Sequence, residues 1–385
     1  MSSRRSQIAP FHVMEVMRQA QEHESAGNEV LHLEVGQPGT PAPAGARAAA
    51  IAAIGTATLG YTAALGTPEL RARIARWYDE RHQLAVDPGC VVVTTGASGS
   101  CVLAFLALWD PGDRVAVIEP GYPCYRNDLE ALGIDVVGLP VDIADQCKPT
   151  IEQLDALLPL DGLVLASPSN PTGTVLADHE LQALARWADV NEVRLVVDEI
   201  YHGITFDRPA TTALAHSANV VVFNSFSKYF SMTGWRLGWI VAPLDLIAPL
   251  ERLAQNLSIC APSVSQVAGL AAFDDLAELD ANVAVYAENR RIMLEGLANA
   301  GFDELAPADG AFYVWASIRH LGMDAVDLCQ QWLRELDIAV TPGIDFDPRR
   351  GHDFVRFSYA GSTAHITEAM HRLGRWHAAR EESAS

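Results

Sequence analysis

The stretch SFSKYFSMTGWRLG (residues 225–238) lies between two β-branched runs, VVVFNS before it and LGWIVA after it. At its centre stands Lys228, one of only two lysines in a chain that carries 25 arginines. Arginine has taken nearly every position where any cation would serve. It cannot take a position that needs a neutral, nucleophilic amine, because the guanidinium stays protonated. The other lysine, Lys148, lies in DQCKPT, a turn-like stretch ahead of a proline, and reads as a surface residue. Lys228 is therefore the lysine to examine for chemistry.

Outward from this segment the same pattern repeats. VVVTT (91–95), VAVIEP (115–120), LVLASP (163–168) and RLVVDE (194–199) are short apolar runs, separated by helical lengths or by turn signals such as PGD and NPTG. Continuous hydrophobic strands alternating with helices are the mark of a parallel sheet covered on both faces. A helix is expected near Pro68–Arg81, with the proline suited to a first-turn position, and another from Gly96 through Leu108. Ahead of these, Phe11, Met14, Met17 and Ala20 fall at helical spacing, followed by a strand-like LHLEV. After about residue 285, FDEL, GAFYVWA, IAVTPG and FVRFSYA alternate with helices near 286–297 and 325–336, then a final helix. That change of character suggests a smaller α+β unit. The closing REESAS reads as a frayed, solvated end. The expected fold is thus α/β: a large domain with a mostly parallel central sheet between two helical layers, plus a smaller α+β domain.

Composition narrows the function. With 385 residues, 49% of them hydrophobic, and 28 glycines and 21 prolines, the chain is an ordinary globular protein with room for a sizeable core. Its 27 basic and 48 acidic residues give a formal charge of −21. Such a chain is poorly suited to nucleic acid or to an anionic membrane. No apolar run approaches the ~18 residues of a membrane span, and Glu15 and Arg18 interrupt the place where a signal peptide would be apolar. The six cysteines are scattered without a C-x-x-C pair, which fits free thiols in a reducing compartment, the cytoplasm, and gives no metal site.

In sheets of this kind ligands bind beyond the carboxyl ends of the strands. The polar residues at those ends are Gly96, Tyr122, Asn170, Asp198 and Lys228. Gly96 opens a helix whose free N–H groups suit a phosphate. Ser225 and Arg236 flank the lysine, and Tyr201 follows the aspartate. A nucleophilic amine, a phosphate cup and a carboxylate for a ring nitrogen are the parts that hold pyridoxal phosphate.

Taken in order, VGQP (35–38), YTAALGTPELR (61–71), TTGASGS (94–100), EPGYPCY (119–125), SPSNPTG (167–173), VVDEIY (196–201), SFSK, GWRLG, DGAFYVW (309–315), TPG (341–343) and VRFSYA (355–360) resemble the fold type I, class I/II pyridoxal-phosphate aminotransferases over nearly the whole chain. The resemblance implies that residues 1–40 form an N-terminal arm and part of the small domain, 41–285 the large cofactor-binding domain, and 286–385 the small C-terminal domain. It implies that Lys228 forms the internal aldimine with pyridoxal 5'-phosphate and shuttles a proton, and that Asp198 holds the ring nitrogen protonated. Tyr201 and Asn170 would bond the ring 3-oxygen, and Tyr122 would stack on the ring. Ala97, Ser98, Ser225 and Arg236 would hold the phosphate, with Tyr61 reaching it from the partner subunit of a homodimer. Arg356 would take the substrate carboxylate, with Gly36 and Asn170 lining the same pocket.

Other residues near these motifs have plainer readings. Tyr125 and His202 read as structural, Arg126 as a surface or subunit contact, and Arg290 and Arg291 as a solvated helix face. Ser227 either touches the phosphate or caps a turn. Three functions fit the motifs unequally. An aminotransferase moving the amino group of an L-amino acid to a 2-oxo acid fits best. A C–S β-lyase or other eliminating enzyme of the same fold is the alternative. An effector-binding regulator would need an N-terminal DNA-binding domain, for which the ~35 residues before VGQP leave no room. Recognition of the substrate side chain rests on residues 11–40 and on the partner subunit. Phe11 and Tyr61 there would tolerate neutral or aromatic amino acids.

Overall fold

The computed structural model describes residues 3–384. β1 (Leu31–His32) is short and belongs to the second layer of the molecule. The central sheet is built from β2 (Val91–Thr94), β3 (Arg114–Glu119), β4 (Asp135–Pro140), β5 (Gly162–Ala166), β6 (Arg194–Asp198), β7 (Val221–Ser225) and β8 (Gly238–Val241), in the order β2-β8-β7-β6-β5-β3-β4. Only β8 runs antiparallel to its neighbours, so the carboxyl ends of the other six share one edge. The strands are short and apolar because both faces are covered. Phe223, Val196, Val164 and Val117 pack on one side, and Val222, Val197, Leu165 and Ala116 on the other.

Local chemistry sets the helices around this sheet. For Pro68–His82, Thr67 caps the Leu70 N–H through its hydroxyl, proline occupies the first turn, and Gln83 ends the helix in the left-handed region. Pro123–Leu132 begins with proline and stops at Gly133, φ +87°. The helix Gly96–Leu108 is different: no side chain caps its start, so its first N–H groups remain available. Trp239 sits fully buried against Phe226 and donates to the Tyr78 hydroxyl at 3.1 Å. Truncating such a side chain to alanine typically costs about 3–5 kcal/mol.

The smaller unit carries β9 (Tyr313–Ser317), β10 (Ile338–Ala339), β11 (Thr341–Pro342) and β12 (Phe354–Ser358). β12 lies between β11 and β9 in an antiparallel sheet, while β1 pairs in parallel with β10. The N-terminal segment is thereby sewn to the C-terminal third. The Leu33 carbonyl accepts from Ser358 N–H, and the Glu34 carbonyl accepts from the Thr341 hydroxyl. The helix Leu276–Asn299 runs through position 285 without a break, so a boundary drawn there falls inside a continuous helix. Towards the chain end Arg380, Glu381 and Glu382 are exposed, as REESAS suggests, and they lie on a helix. In that helix, Thr363–Ala384, Arg380 lies 4.9 Å from the Trp376 ring centre. Among the described residues no helix is long and apolar enough to cross a membrane.

Candidate active site

A cavity of about 350 Å³ opens at the shared carboxyl edge of the sheet. Its wall includes Gly36, Ala97, Ser98, Tyr122, Asn170, Asp198, Tyr201, Lys228, Arg236 and Arg356, every residue that the resemblance places in the site except Ser225 and Tyr61. Most large-domain members follow a strand: Ala97 and Ser98 after β2, Tyr122 after β3, Asn170 after β5, Tyr201 after β6 and Lys228 after β7, while Asp198 ends β6 and Arg236 precedes β8. Arg356 comes from the middle of β12, where it faces Trp315 on β9 and Thr341 on β11.

Lys228 is partly buried and donates from Nζ to the Gly36 carbonyl. Burial pulls its pKa down from 10.5 to about 8, helped by the positive charges of Arg356 and Arg236. The neutral amine is thus far more accessible near neutrality than that of an ordinary lysine, as a nucleophile requires. Asp198 is almost fully buried, and burial lifts its carboxyl to about 6 despite two donors. Its Oδ1 accepts from Ile200 N–H at 2.9 Å, and its Oδ2 accepts from the Tyr125 hydroxyl.

The cavity holds two separate places for an anion. At one, the uncapped start of the Gly96–Leu108 helix meets the guanidinium of Arg236. A Cβ added at Gly96, itself at φ +80°, would come within 2.7 Å of Arg236 Nη2. At the other, Arg356 is 2% exposed and lies 4.5 Å from the Tyr313 ring centre. Its Nη1 donates to Asn170 Oδ1 at 3.1 Å and its Nη2 to the Glu34 carbonyl, while its buried Nε has no partner. Neither Lys228 nor Arg356 forms an ion pair among the described residues, and Asp198 is the one carboxylate in a wall with three cations. This excess of positive charge suits a phosphate and a carboxylate bound at once. Gly36 packs directly against Tyr313: a Cβ there would collide with the Tyr313 hydroxyl.

The structure separates two residues from the others. Ser225 is buried behind the cavity, bonded to the Leu237 carbonyl and to Ser227, and it is Ser227 that reaches the wall. Tyr61 is 82% exposed on the outer surface. Two readings made from sequence change, those of Tyr125 and Arg290. Tyr125 is no mere packing residue, since it touches Asp198; it lies three positions after Tyr122 across a helix start, so the two share a face. Arg126, read as a surface or subunit contact, is partly exposed and paired with the buried Glu119. Arg290 turns inward, donating to the Ala308 carbonyl at 2.7 Å, while Arg291 does lie on a solvated face between Glu288 and Glu295. Lys148 pairs with Glu180 at 2.9 Å, outside the cavity. Tyr313 was missed: its hydroxyl lies 2.8 Å from that of Tyr201, and nothing in a strand-like FYVW distinguishes it from core.

Residues 28–373 match the family model described as aminotransferase class I and II. The chain belongs to the class I and II aminotransferases. It is 48% identical to a valine–pyruvate aminotransferase of Mycobacterium tuberculosis over 97% of both chains. Among solved structures, an aminotransferase from Mycobacterium tuberculosis superposes with a TM-score of 0.96 at 47% identity, covering 98% of this chain and 99% of that one. The aspartate aminotransferase of Thermus thermophilus with maleate gives 0.92 at 30% identity, covering 97% and 99%. This aminotransferase therefore shares both the fold and the reaction class of its relatives, and the mixed α/β architecture read from its strands is theirs.

Proposed function

We propose that this aminotransferase holds pyridoxal 5'-phosphate in the cavity and moves the amino group of a neutral, apolar L-amino acid to a 2-oxo acid. The observation that carries the reading is the charge layout: Arg236 and Arg356 line one cavity with the partly buried Lys228, and Asp198 is the one buried carboxylate among them. The donor set fits the cofactor. Ala97 and Ser98 N–H groups, Ser227 and Arg236 would hold its phosphate, with Ser225 behind Ser227 fixing that hydroxyl. Asp198 would keep the proton on the ring nitrogen, and Tyr201 would donate to the ring 3-oxygen beside Asn170. Tyr122 would cover one ring face. Bound there, the cofactor supplies an electron sink for charge developing at the substrate Cα.

The chain's own residues do the rest. Arg356 orients the substrate by a bidentate grip on its carboxylate, with Asn170 and Gly36 beside it. Lys228, in its neutral form, would take the proton from the substrate Cα and hold it at Nζ for return, the base role that its lowered pKa suits. Phe11, Val13, Met14, Met17 and Val35 form an apolar wall on the N-terminal side, with no additional cation in the lining for a second carboxylate. That favours an aliphatic side chain over a dicarboxylate, and valine with pyruvate is the first pair to try. We further propose a cytoplasmic homodimer in which Tyr61 reaches the partner's phosphate site. Its exposure and the unpaired state of all six cysteines support that reading.

A half-reaction screen tests the proposal. Each amino acid is added to holoenzyme while the cofactor absorbance is followed. Valine and similar aliphatic amino acids should drive conversion to the amine form with release of the matching 2-oxo acid. Release of pyruvate and ammonia from amino acids bearing a leaving group on Cβ would instead mark an eliminating enzyme.

A further inference from the structure

The loop after β6 carries two buried titratable residues that do not line the cavity. Glu199 is fully enclosed and His202 nearly so. Glu199 Oε1 accepts from the Thr212 hydroxyl at 2.9 Å and from Ala213 N–H at 2.8 Å. Its Oε2 has no hydrogen-bond partner, and neither has His202 Nδ1; the two atoms face each other at 3.5 Å. On the far side of the ring, His202 Nε2 lies 3.1 Å from the Ser167 carbonyl oxygen. A carbonyl only accepts, so Nε2 carries a hydrogen.

Counting hydrogens then decides what lies between the two facing atoms. With no proton there, two lone pairs oppose each other with no donor between them. With two, both groups donate and neither accepts. One proton satisfies both atoms. We propose that Glu199 and His202 share a single retained proton, carried by Glu199 as a neutral carboxylic acid donating to Nδ1, and that the pair positions the loop bearing Asn170 and the end of β6 bearing Asp198. The chain of contacts runs from the Ser167 carbonyl through His202 and Glu199 to Thr212 and Ala213. It thereby ties the end of β5 to the end of β6.

The surroundings favour the neutral arrangement. Asp198 is adjacent in the chain, and its charge, added to burial, lifts Glu199 to about 8. From the helix Pro68–His82, Tyr78 faces Glu199, and the His82 ring lies 5.3 Å from the His202 ring. Burial and the charge of Arg81 keep His82 down to about 4, so it is neutral too. Burial and His82 push His202 well below its usual value. Glu199 forms no ion pair with Lys or Arg among the described residues. The proton thus belongs on the carboxyl.

The effect on catalysis rests on the cofactor reading above; the proton itself does not, and apoenzyme measures it. Glu199→Gln keeps an acceptor for Thr212 and Ala213 and a donor for Nδ1, so it mimics the acid. A carboxyl whose folded pKa is raised loses stability as pH climbs from its unfolded value to about 8. The melting temperature of Glu199→Gln apoenzyme should match wild type near pH 5, exceed it by a margin that widens to about pH 8, and then hold level. Infrared difference spectra at neutral pH should contain a carboxylic-acid carbonyl band that Glu199→Gln lacks. Imidazole nitrogen NMR of wild type should give His202 as a neutral ring protonated at Nε2. In holoenzyme, Glu199→Leu should lower kcat roughly tenfold or more with a smaller change in KM, and Glu199→Gln should recover most of it. A Glu199→Gln protein that is less stable at every pH or fails to fold, or an imidazolium at His202, overturns the proton. Wild-type kcat in Glu199→Leu overturns the positioning role.

Discussion

The Tyr125 hydroxyl donates to Oδ2 of Asp198, and so a residue from the helix after β3 holds the carboxylate at the end of β6. Both groups are buried, and the phenol is held far above its usual pKa by that burial and by the carboxylate charge. It stays a donor throughout the accessible pH range.

Removing that donor should therefore raise the proton affinity of Asp198. Hydrogen bonding to the charged form of a carboxyl lowers its pKa, and its loss costs about 1.5–3 kcal/mol. In Tyr125→Phe the acid limb of the activity profile should move to higher pH. The reason is that Asp198, already lifted to about 6 by burial, must be ionised to hold the ring-nitrogen proton. Steady-state rates from pH 5 to 8 check this. An unmoved acid limb would separate Tyr125 from Asp198's task.

Lys228→Ala should abolish transamination, because no second amine lines the cavity. Borohydride reduction of native holoenzyme should fix the cofactor mass on the peptide containing Lys228 and leave Lys148, which is paired with Glu180, unlabelled. Loading apoenzyme with cofactor should also speed up as pH rises through about 8, where the amine loses its proton. Label on Lys148, or loading that slows across that range, would remove Lys228 from its role.

What was legible beforehand follows from packing. VVVTT, RLVVD and VVVFNS stand out because strands covered on both faces must be apolar at every position, and Asn170, Asp198 and Lys228 stand out as polar groups where those runs end. β4 did not stand out. It is an edge strand, half-buried along much of its length, and Gly138 within it leaves room for Glu119: a Cβ there would meet Glu119 Oε2 at 2.4 Å. That β8 runs antiparallel leaves no trace in a composition common to both directions. Tyr125 and Tyr313 escaped because a buried tyrosine looks like core until its hydroxyl partner is known, and both partners are distant in sequence. Ser225 and Ser227 are two apart and both buried, so only the structure tells which of them reaches the cavity.

The proposed dimer predicts complementation. Tyr61 is exposed and lies outside the cavity of its own chain, so its expected work on the phosphate is done across a two-fold axis. Tyr61→Ala and Lys228→Ala proteins, each impaired alone, should regain partial activity when mixed and allowed to exchange subunits, because one hybrid site then has both residues. A fully active monomer by light scattering would defeat the proposal.

Arg356→Lys should weaken amino-acid binding while leaving cofactor binding nearly untouched. Arg356 sits on β12, away from the helix start and Arg236 where the phosphate is expected. Its neighbours orient it but leave charge to spare: Asn170 and the Glu34 carbonyl take two donors, the Tyr313 and Phe346 rings cover its plane, and Nε is unpartnered. A planar fork meets a carboxylate with two parallel bonds, whereas lysine offers one mobile charge. Losing one such bond in a buried site costs about 1.5–3 kcal/mol, roughly ten- to hundredfold in affinity. Were Arg356 there only to join the domains, the variant would lose thermal stability and keep its affinity. Titrating valine into the variant while following the cofactor absorbance separates the two, and an unchanged dissociation constant would take Arg356 out of the substrate site.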